Sequence, residues 1–245
     1  MTSWIKNSQE AIHMYLCWQS PDITADRRHW AVANVLQGDE NNFHLRYFTE
    51  DEEFAQHNGG KSLRAAKDLG FSGYPAFSMR REHTDGVREN FMRRLPPRTR
   101  PDFPLFLEKF CLSPDMHLSD FSLLARTGAK LPGDNFSFVD PLRGYTAPCD
   151  FLIEVAGFRH QPNDIRSSLK IGQPLTFELD EQNSHDKCAI KVMAEGNKIG
   201  YVNRLQTHSF PEWIKEKKVS AHLERLNGTI DRPRAFVFVS LLSGN

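Results

Sequence analysis

Between Pro174 and Arg204 the chain reads PLTFELDEQNSHDKCAIKVMAEGNKIGYVNR and carries polar residues that a strand pattern does not require. Asp180, Asn183, His185 and Asp186 crowd into a single turn of this stretch. Asn and Asp in a turn accept hydrogen bonds from nearby backbone amides, so a purely structural use of Asn183 and Asp186 stands beside any use toward a ligand. Asp150, Asp180, Glu181 and Asp186 are the acids from which a hydrolytic metal site would be built, but nothing in their spacing makes them one. A second group is cationic: between Arg80 and Arg100 seven arginines stand among three acids. Guanidinium forks match phosphate or carboxylate, so Arg88, Arg93, Arg94 and Arg98 are candidates for holding an acidic partner. The plain alternative is a solvated helix face followed by the rigid segment Leu95-Pro96-Pro97-Arg98. The chain has no GxSxG elbow, HExxH helix, Walker loop, HRD or DFG, and it is read as noncatalytic, with no cofactor and no metal.

Strands must position the first group. Leu175, Phe177 and Leu179 alternate with Thr176, Glu178 and Asp180, the period of a strand buried on one face. Ala189, Ile190 and Val192 give a second strand, Glu195 to Lys198 a hairpin turn, and Ile199-Gly200-Tyr201-Val202 a third. Short antiparallel strands need a closed sheet. Phe151 to Arg159 supplies a first strand, Gln161 to Ser168 a polar loop, and Val219–Leu226 with Ala235–Leu242 the last two strands. Ser209 is placed to cap a short helix containing Pro211 and Trp213, with Lys215, Lys217 and Lys218 crowding its end.

The earlier half predicts an α+β domain. Ile12–Trp18, Trp30–Leu36 and Phe43–Tyr47 alternate as antiparallel strands, and 50–69 reads as helix interrupted at Asn58-Gly59-Gly60. Gly70 to Phe77 is a packed turn, Phe103–Phe110 a short buried helix, and Asp115–Lys130 a helix stopped by Gly128. The Pro- and Gly-rich stretch Asp134–Pro148 holds the boundary, giving domains at 1–140 and 150–245 with a linker at 141–149.

The 245 residues are 39% hydrophobic, enough for ordinary cores, and 31 basic residues balance 31 acidic ones. No global positive field holds such a chain on bulk duplex, so any nucleic-acid contact is local. Nothing in the first residues reads as a secretory signal and no stretch is apolar enough to span a bilayer, which makes the cytoplasm the expected location. Cys17, Cys111, Cys149 and Cys188 stand far apart without a CxxC pair, as reduced thiols do.

Asp180, Asn183, Asp186, Ala189-Ile190-Lys191-Val192 and Ile199-Gly200-Tyr201 resemble the pattern of the HIRAN domain, a small β-barrel of the SH3/OB type found in DNA-remodelling helicases and as short bacterial proteins. The chain departs from it at Glu181 and His185, where the family usually has Pro and often has Tyr. The resemblance implies binding of a single-stranded DNA 3′ end. By matching position, Asp186 accepts from the 3′-hydroxyl, His185 lies beside the terminal sugar with Arg159 and His160, Tyr201 stacks on a base and Arg204 meets phosphate. An unstacked end can be gripped in this way by few residues. More faintly, residues 10–140 resemble the N-terminal subdomain of HipA-type kinases, without a kinase core. The expected function is recognition of 3′ ends or damaged and stalled DNA in repair or defence, with a helicase, nuclease or HipA-like kinase as protein partner. The alternative is an interaction module of a toxin–antitoxin system in which the barrel is a scaffold.

Overall fold

The protein is described from a computed structural model covering residues 3–22, 28–39, 42–184 and 186–243; His185 lies outside the described residues. Two compact units emerge, one of Glu10–Phe103 and His117–Pro141, the other of Met1–Gln9, Pro104–Met116 and Leu142–Asn245. The sequence division at 140 and 150 thus differs from the spatial one in its two early segments. The stretch expected as linker is packed: Leu142, Tyr145 and Cys149 are buried in the core of the second unit. No helix of the described residues is long and apolar enough to cross a membrane.

In the first unit, β1 (His13–Trp18), β2 (Trp30–Gln37), β3 (Phe43–Tyr47), β4 (Glu82–His83) and β5 (Phe136–Val139) form an antiparallel sheet in the order β4-β3-β2-β1-β5. With it go α1 (Asp51–His57), α2 (Leu63–Asp68) and α3 (Val87–Met92). Next in the chain is α4 (Phe103–Glu108), then α5 (Asp120–Thr127). Ser119 Oγ accepts from Ser122 N at 3.1 Å to start α5, and Gly128 at φ 66° ends it. Asn58, expected only as a helix breaker, pairs its amide with both backbone groups of Ala31 at 2.9 Å. Tyr47 pins the Gly70–Phe77 turn, donating to Phe77 O at 3.1 Å and accepting from Tyr74 N at 2.9 Å. Burial pushes its phenol up to about 12. Helix α4 is less buried than its pattern suggests, with Leu105 61% exposed.

The second unit contains β6 (Cys149–Glu154), α6 (Asn163–Ser168), β7 (Pro174–Leu179), β8 (Ile190–Ala194), β9 (Asn197–Tyr201), α7 (Phe210–Lys215), β10 (Val219–Thr229) and β11 (Arg232–Leu241). All pairs are antiparallel, in the order β6-β11-β10-β7-β8-β9. The sheet curls until its two edges meet at one bridge, where Ala156 and Tyr201 exchange hydrogen bonds of 2.8 and 2.9 Å just beyond β6. The closure is a single residue pair, so the barrel expected from the sequence is joined without a full ladder. Alternating residues fill its core: Leu175 and Phe177 from β7, Ile190 and Val192 from β8, Val237 and Val239 from β11. Part of the expected loop 161–168 is α6, whose side chains are all at least partly exposed. Ser209 does not cap α7 with its hydroxyl, which instead donates to Leu142 O at 3.2 Å. Residues Lys6 and Asn7 dock on Asp150, whose Oδ2 accepts from both backbone amides at 3.0 and 2.9 Å.

Candidate nucleic-acid interface

The turn between β7 and β8 is built from its own side chains. Asn183 Oδ1 accepts from Asp186 N at 3.0 Å and Asp186 Oδ1 accepts from Cys188 N at 2.9 Å. Both structural uses anticipated for these residues therefore occur. They consume one oxygen of Asp186, whose carboxylate is half-buried, and among the described residues no partner occupies Oδ2.

Asp180, at the end of β7, organises the neighbourhood. Its Oδ2 accepts from the Tyr201 hydroxyl at 2.9 Å and from Asn183 Nδ2 at 3.4 Å, and Lys191 Nζ lies 3.6 Å from its Oδ1. Lys198 donates to the Tyr201 hydroxyl at 3.1 Å and stands 4.8 Å from the ring centroid. Tyr201 is thus fixed through its hydroxyl, with one face of its ring already covered by an ammonium. Lys191 and Tyr201 are register partners across β8 and β9, which is why side chains ten positions apart in sequence share this spot. Lys191 and Lys198 were missed as site residues by sequence reading, and Asp180 was weighed only as a possible metal ligand and as part of the HIRAN-like pattern. The signal was present: all three fall on the polar phase of strands whose other phase is apolar.

The Tyr201 hydroxyl, ahead of any other influence, holds the Asp180 carboxyl below the usual aspartate range, with Lys191 and Asn183 reinforcing it against desolvation. A lowered folded value means that this support is present above the ordinary aspartate pKa and is lost as pH falls through the lowered value. The Tyr201 ring signals in an NMR titration should accordingly stay constant from neutrality down to about pH 5 and move only in stronger acid. In Asp180→Asn that acid step should be absent, and its persistence would assign the change to another group.

The Ala156–Tyr201 bridge brings a third element in. Just beyond Ala156, Gly157 at φ 74° starts the 3-10 turn Phe158–His160, anchored by buried Phe158 and packed on β9 and β11. Arg159 and His160 are exposed on it, with Arg159 Nε 3.0 Å from His160 Nε2. Arg204 begins a second 3-10 turn after Tyr201, capped by Asn203 Oδ1 accepting from Leu205 N at 3.1 Å. Five of the six residues expected from the sequence, Arg159, His160, Asp186, Tyr201 and Arg204, are described, and they lie on elements adjoining β9 or the β7–β8 turn.

Residues 149–236 match the sequence model of the HIRAN domain. This is the HIRAN region of the chain. The match leaves residues 1–148 and 237–245 uncovered. Among solved structures, the HIRAN domain of human HLTF is 17% identical over 38% of this chain and 74% of its own, with a TM-score of 0.31. A protein from Lactobacillus plantarum is also 17% identical, over 37% of this chain and 91% of its own, with a TM-score of 0.31. No curated protein matches the chain.

The cationic candidates of the first unit fare differently. Arg94 is only 4% exposed and is turned inward. It donates to Asp134 at 2.6 and 3.2 Å, to Ala129 O at 3.0 Å and to Phe136 O at 2.7 Å. Its guanidinium is thus used inside the unit, and Arg94 is a structural residue rather than the partner contact expected from the sequence. Arg88 and Arg98 converge on Asp120, at 2.5 and 3.1 Å, so one carboxylate offsets one of their two positive charges. Arg93 is exposed beside an open cleft of about 530 Å³ bordered by Leu95, Pro96 and Leu123.

The HIRAN-bearing unit also holds a Ser–His–Glu grouping that resembles hydrolase machinery in composition. Ser3 Oγ and Glu224 Oε2 lie 2.9 and 3.2 Å from the same nitrogen, Nε2 of His222. A relay needs the hydroxyl and the carboxylate on opposite ring nitrogens, so this arrangement joins the N-terminal arm to β10 without forming a charge relay. Among the described residues no three His, Cys, Asp or Glu side chains are grouped to hold a metal ion.

Proposed function

We propose that the HIRAN region of this protein binds the 3′ end of single-stranded DNA without catalysing a reaction on it. HIRAN domains occur in nucleic-acid-binding proteins, and the match at residues 149–236 supports that class of ligand here. The observation that supports the finer reading is the Asp186 carboxylate, with Oδ1 tied to Cys188 N and Oδ2 without a partner among the described residues. A terminal 3′-hydroxyl is such a donor, whereas an internal phosphodiester presents only acceptors. Arg159, Arg204, Lys191 and Lys198 supply cations for the nearby phosphates, and His160 with the uncovered part of Tyr201 supplies surfaces on which a base can rest. Exposed 3′ ends arise where DNA is broken or its synthesis has stalled, which makes repair or defence the fitting setting.

The test compares a linear single strand with the same sequence closed into a circle. The linear form should bind more tightly by about tenfold, the worth of one hydrogen bond to a charged group, and Asp186→Ala should abolish the difference while leaving the residual affinity of the circle unchanged. Equal binding of line and circle by the unaltered protein would remove end recognition from the account.

A further inference from the structure

Strands β10 and β11 are longer than the sheet that holds them. β10 pairs with β7 only at Ala221 and His222, and β11 pairs with β6 only from Phe236 to Leu241. Yet β10 and β11 remain paired with each other out to Thr229 and Arg232. Beyond the sheet they form a two-stranded ribbon in which every residue from Leu226 to Asp231 is exposed. From the Arg225–Phe236 pair to the Thr229–Arg232 pair it extends about 13 Å, at about 3.3 Å per residue.

Its two faces are unlike. The register sets Arg225 opposite Phe236, Asn227 opposite Arg234 and Thr229 opposite Arg232. Since alternate residues share a face, one side of the ribbon carries three arginines, an asparagine and a threonine. Their single apolar companion, Phe236, is 8% exposed beneath Arg225 and Arg234, whose guanidiniums lie 4.5 and 4.9 Å from its centroid. Arg234 is also held by Glu154 at 2.5 Å and Arg225 by Lys109 O at 2.9 Å, which sets the direction of both. Arg232, nearer the tip, is exposed and has no ion pair among the described residues. At the tip itself Ile230 is 94% exposed. Gly228 at φ 92° permits the tight crossing, since a Cβ there would meet Arg232 O at 2.1 Å.

The base of the ribbon adjoins the side of the candidate interface that carries Arg159 and His160, while the β7–β8 turn with Asp186 follows Leu179 at the other end of β7 from Pro174, beyond which the ribbon leaves the sheet. The ribbon's base is fixed by Val155 N donating to Ala235 O at 2.9 Å and by the Glu154–Arg234 pair. The next residue, Ala156, bridges to Tyr201. Strand β11 also packs on the turn that carries Arg159 and His160.

We propose that this ribbon is a second nucleic-acid contact, one that takes duplex DNA adjoining the single-stranded end. The proposal rests on the end-binding reading of the same unit. A two-stranded ribbon fits a major groove about 12 Å wide. Arginine, asparagine and threonine on one face are the donors used toward phosphates and base edges, and an exposed apolar tip suits a thymine methyl or a base step. Against the three arginines stand Glu154, bound to Arg234, and Asp231 at the tip, which leaves the ribbon a local positive excess centred on Arg225 and Arg232 on a chain of zero formal net charge. Salt should report it, because each phosphate contact to duplex steepens the logarithmic salt dependence by about 0.9.

The experiment measures, at several salt concentrations, the affinity of the full chain for three ligands: a short single strand, the same strand continued at its 5′ side into a duplex, and the blunt duplex. The unaltered protein should bind the tailed duplex about tenfold more tightly than the bare strand. Arg232→Glu and Ile230→Ser, both at exposed positions, should remove that increment and leave bare-strand binding unchanged. Equal affinity of the unaltered protein for tailed duplex and bare strand, or an increment that survives both variants, overturns the ribbon contact. Loss of bare-strand binding alone, with blunt duplex still bound and weakened by Arg232→Glu, removes the end-binding reading and keeps the ribbon. Binding to none of the three ligands overturns both.

Discussion

Arg94→Ala should destabilise the first unit by about 3–5 kcal/mol, the cost of breaking a buried, hydrogen-bonded ion pair from one side. Arg94 is 4% exposed, and its guanidinium satisfies three groups at once: the Asp134 carboxylate and the carbonyls of Ala129 and Phe136. These partners tie the end of α3 to the segment after α5 and to the first residue of β5. Removing the side chain leaves both carbonyls without this donor and a carboxylate without its counter-ion, in surroundings where water restores little. Arg94→Lys should recover only a minor part, because one ammonium cannot reproduce the planar fork. Urea unfolding followed by near-UV circular dichroism, which reports the packed aromatics Tyr74, Phe91 and Phe138, measures the effect. A midpoint within experimental error of the unaltered protein would show that Arg94 does not hold these elements together. The same substitution should leave DNA affinity unchanged wherever the protein remains folded.

Gly200→Ala is expected to cost about 2–4 kcal/mol and to impair the interface with it, from two additive sources: backbone strain and overpacking. The backbone of Gly200 lies at φ 147°, a region that side-chain-bearing residues rarely enter, and a Cβ would come within 2.5 Å of both Ala156 O and Val155 Cγ1. One obstacle is a main-chain atom of the very residue that closes the sheet, so relief requires the edges to part. Parting them breaks the hydrogen-bonded pair of Ala156 with Tyr201 and lets the Arg159–His160 turn move from β9. Hydrogen exchange at the amides of Ala156 and Tyr201 measures this directly. Acceleration confined to those two amides would mean local opening, acceleration throughout β6 and β9 would mean loss of the unit, and unchanged protection of both amides would contradict the role given to Gly200.

Much of the second unit was legible because its strands alternate cleanly. Leu175 and Phe177, like Ile190 and Val192, announce a buried phase, and the intervening Asn and Asp announce the turn that links them. The ribbon was not legible. Asn227, Gly228, Pro233 and Arg234 fall between the strands expected at Val219–Leu226 and Ala235–Leu242 because they lack an apolar phase, and a ribbon clear of the core has none to show. Helix α6 escaped for the same reason, its side chains being exposed or only half-buried. Arg94 could have been placed correctly: it follows Val87 and Phe91 at the spacing of one helix face, and both of those residues are fully buried. Reading the arginine run as one surface obscured that phase. Asp150 was likewise weighed only as a possible metal ligand, although its partners, the amides of Lys6 and Asn7, lie more than a hundred positions away, where no local pattern connects them.

The most direct measurement of the central claim is the affinity of the protein for one labelled single strand ending in a 3′-hydroxyl, compared with the same strand ending in a 3′-phosphate. In the proposed mode of binding the hydroxyl would donate to Asp186 Oδ2, while the phosphate would set added negative charge against that carboxylate. Clear preference for the hydroxyl is expected, lost in Asp186→Ala. Equal affinity for the two ends, or a preference for the phosphate, would contradict the central claim.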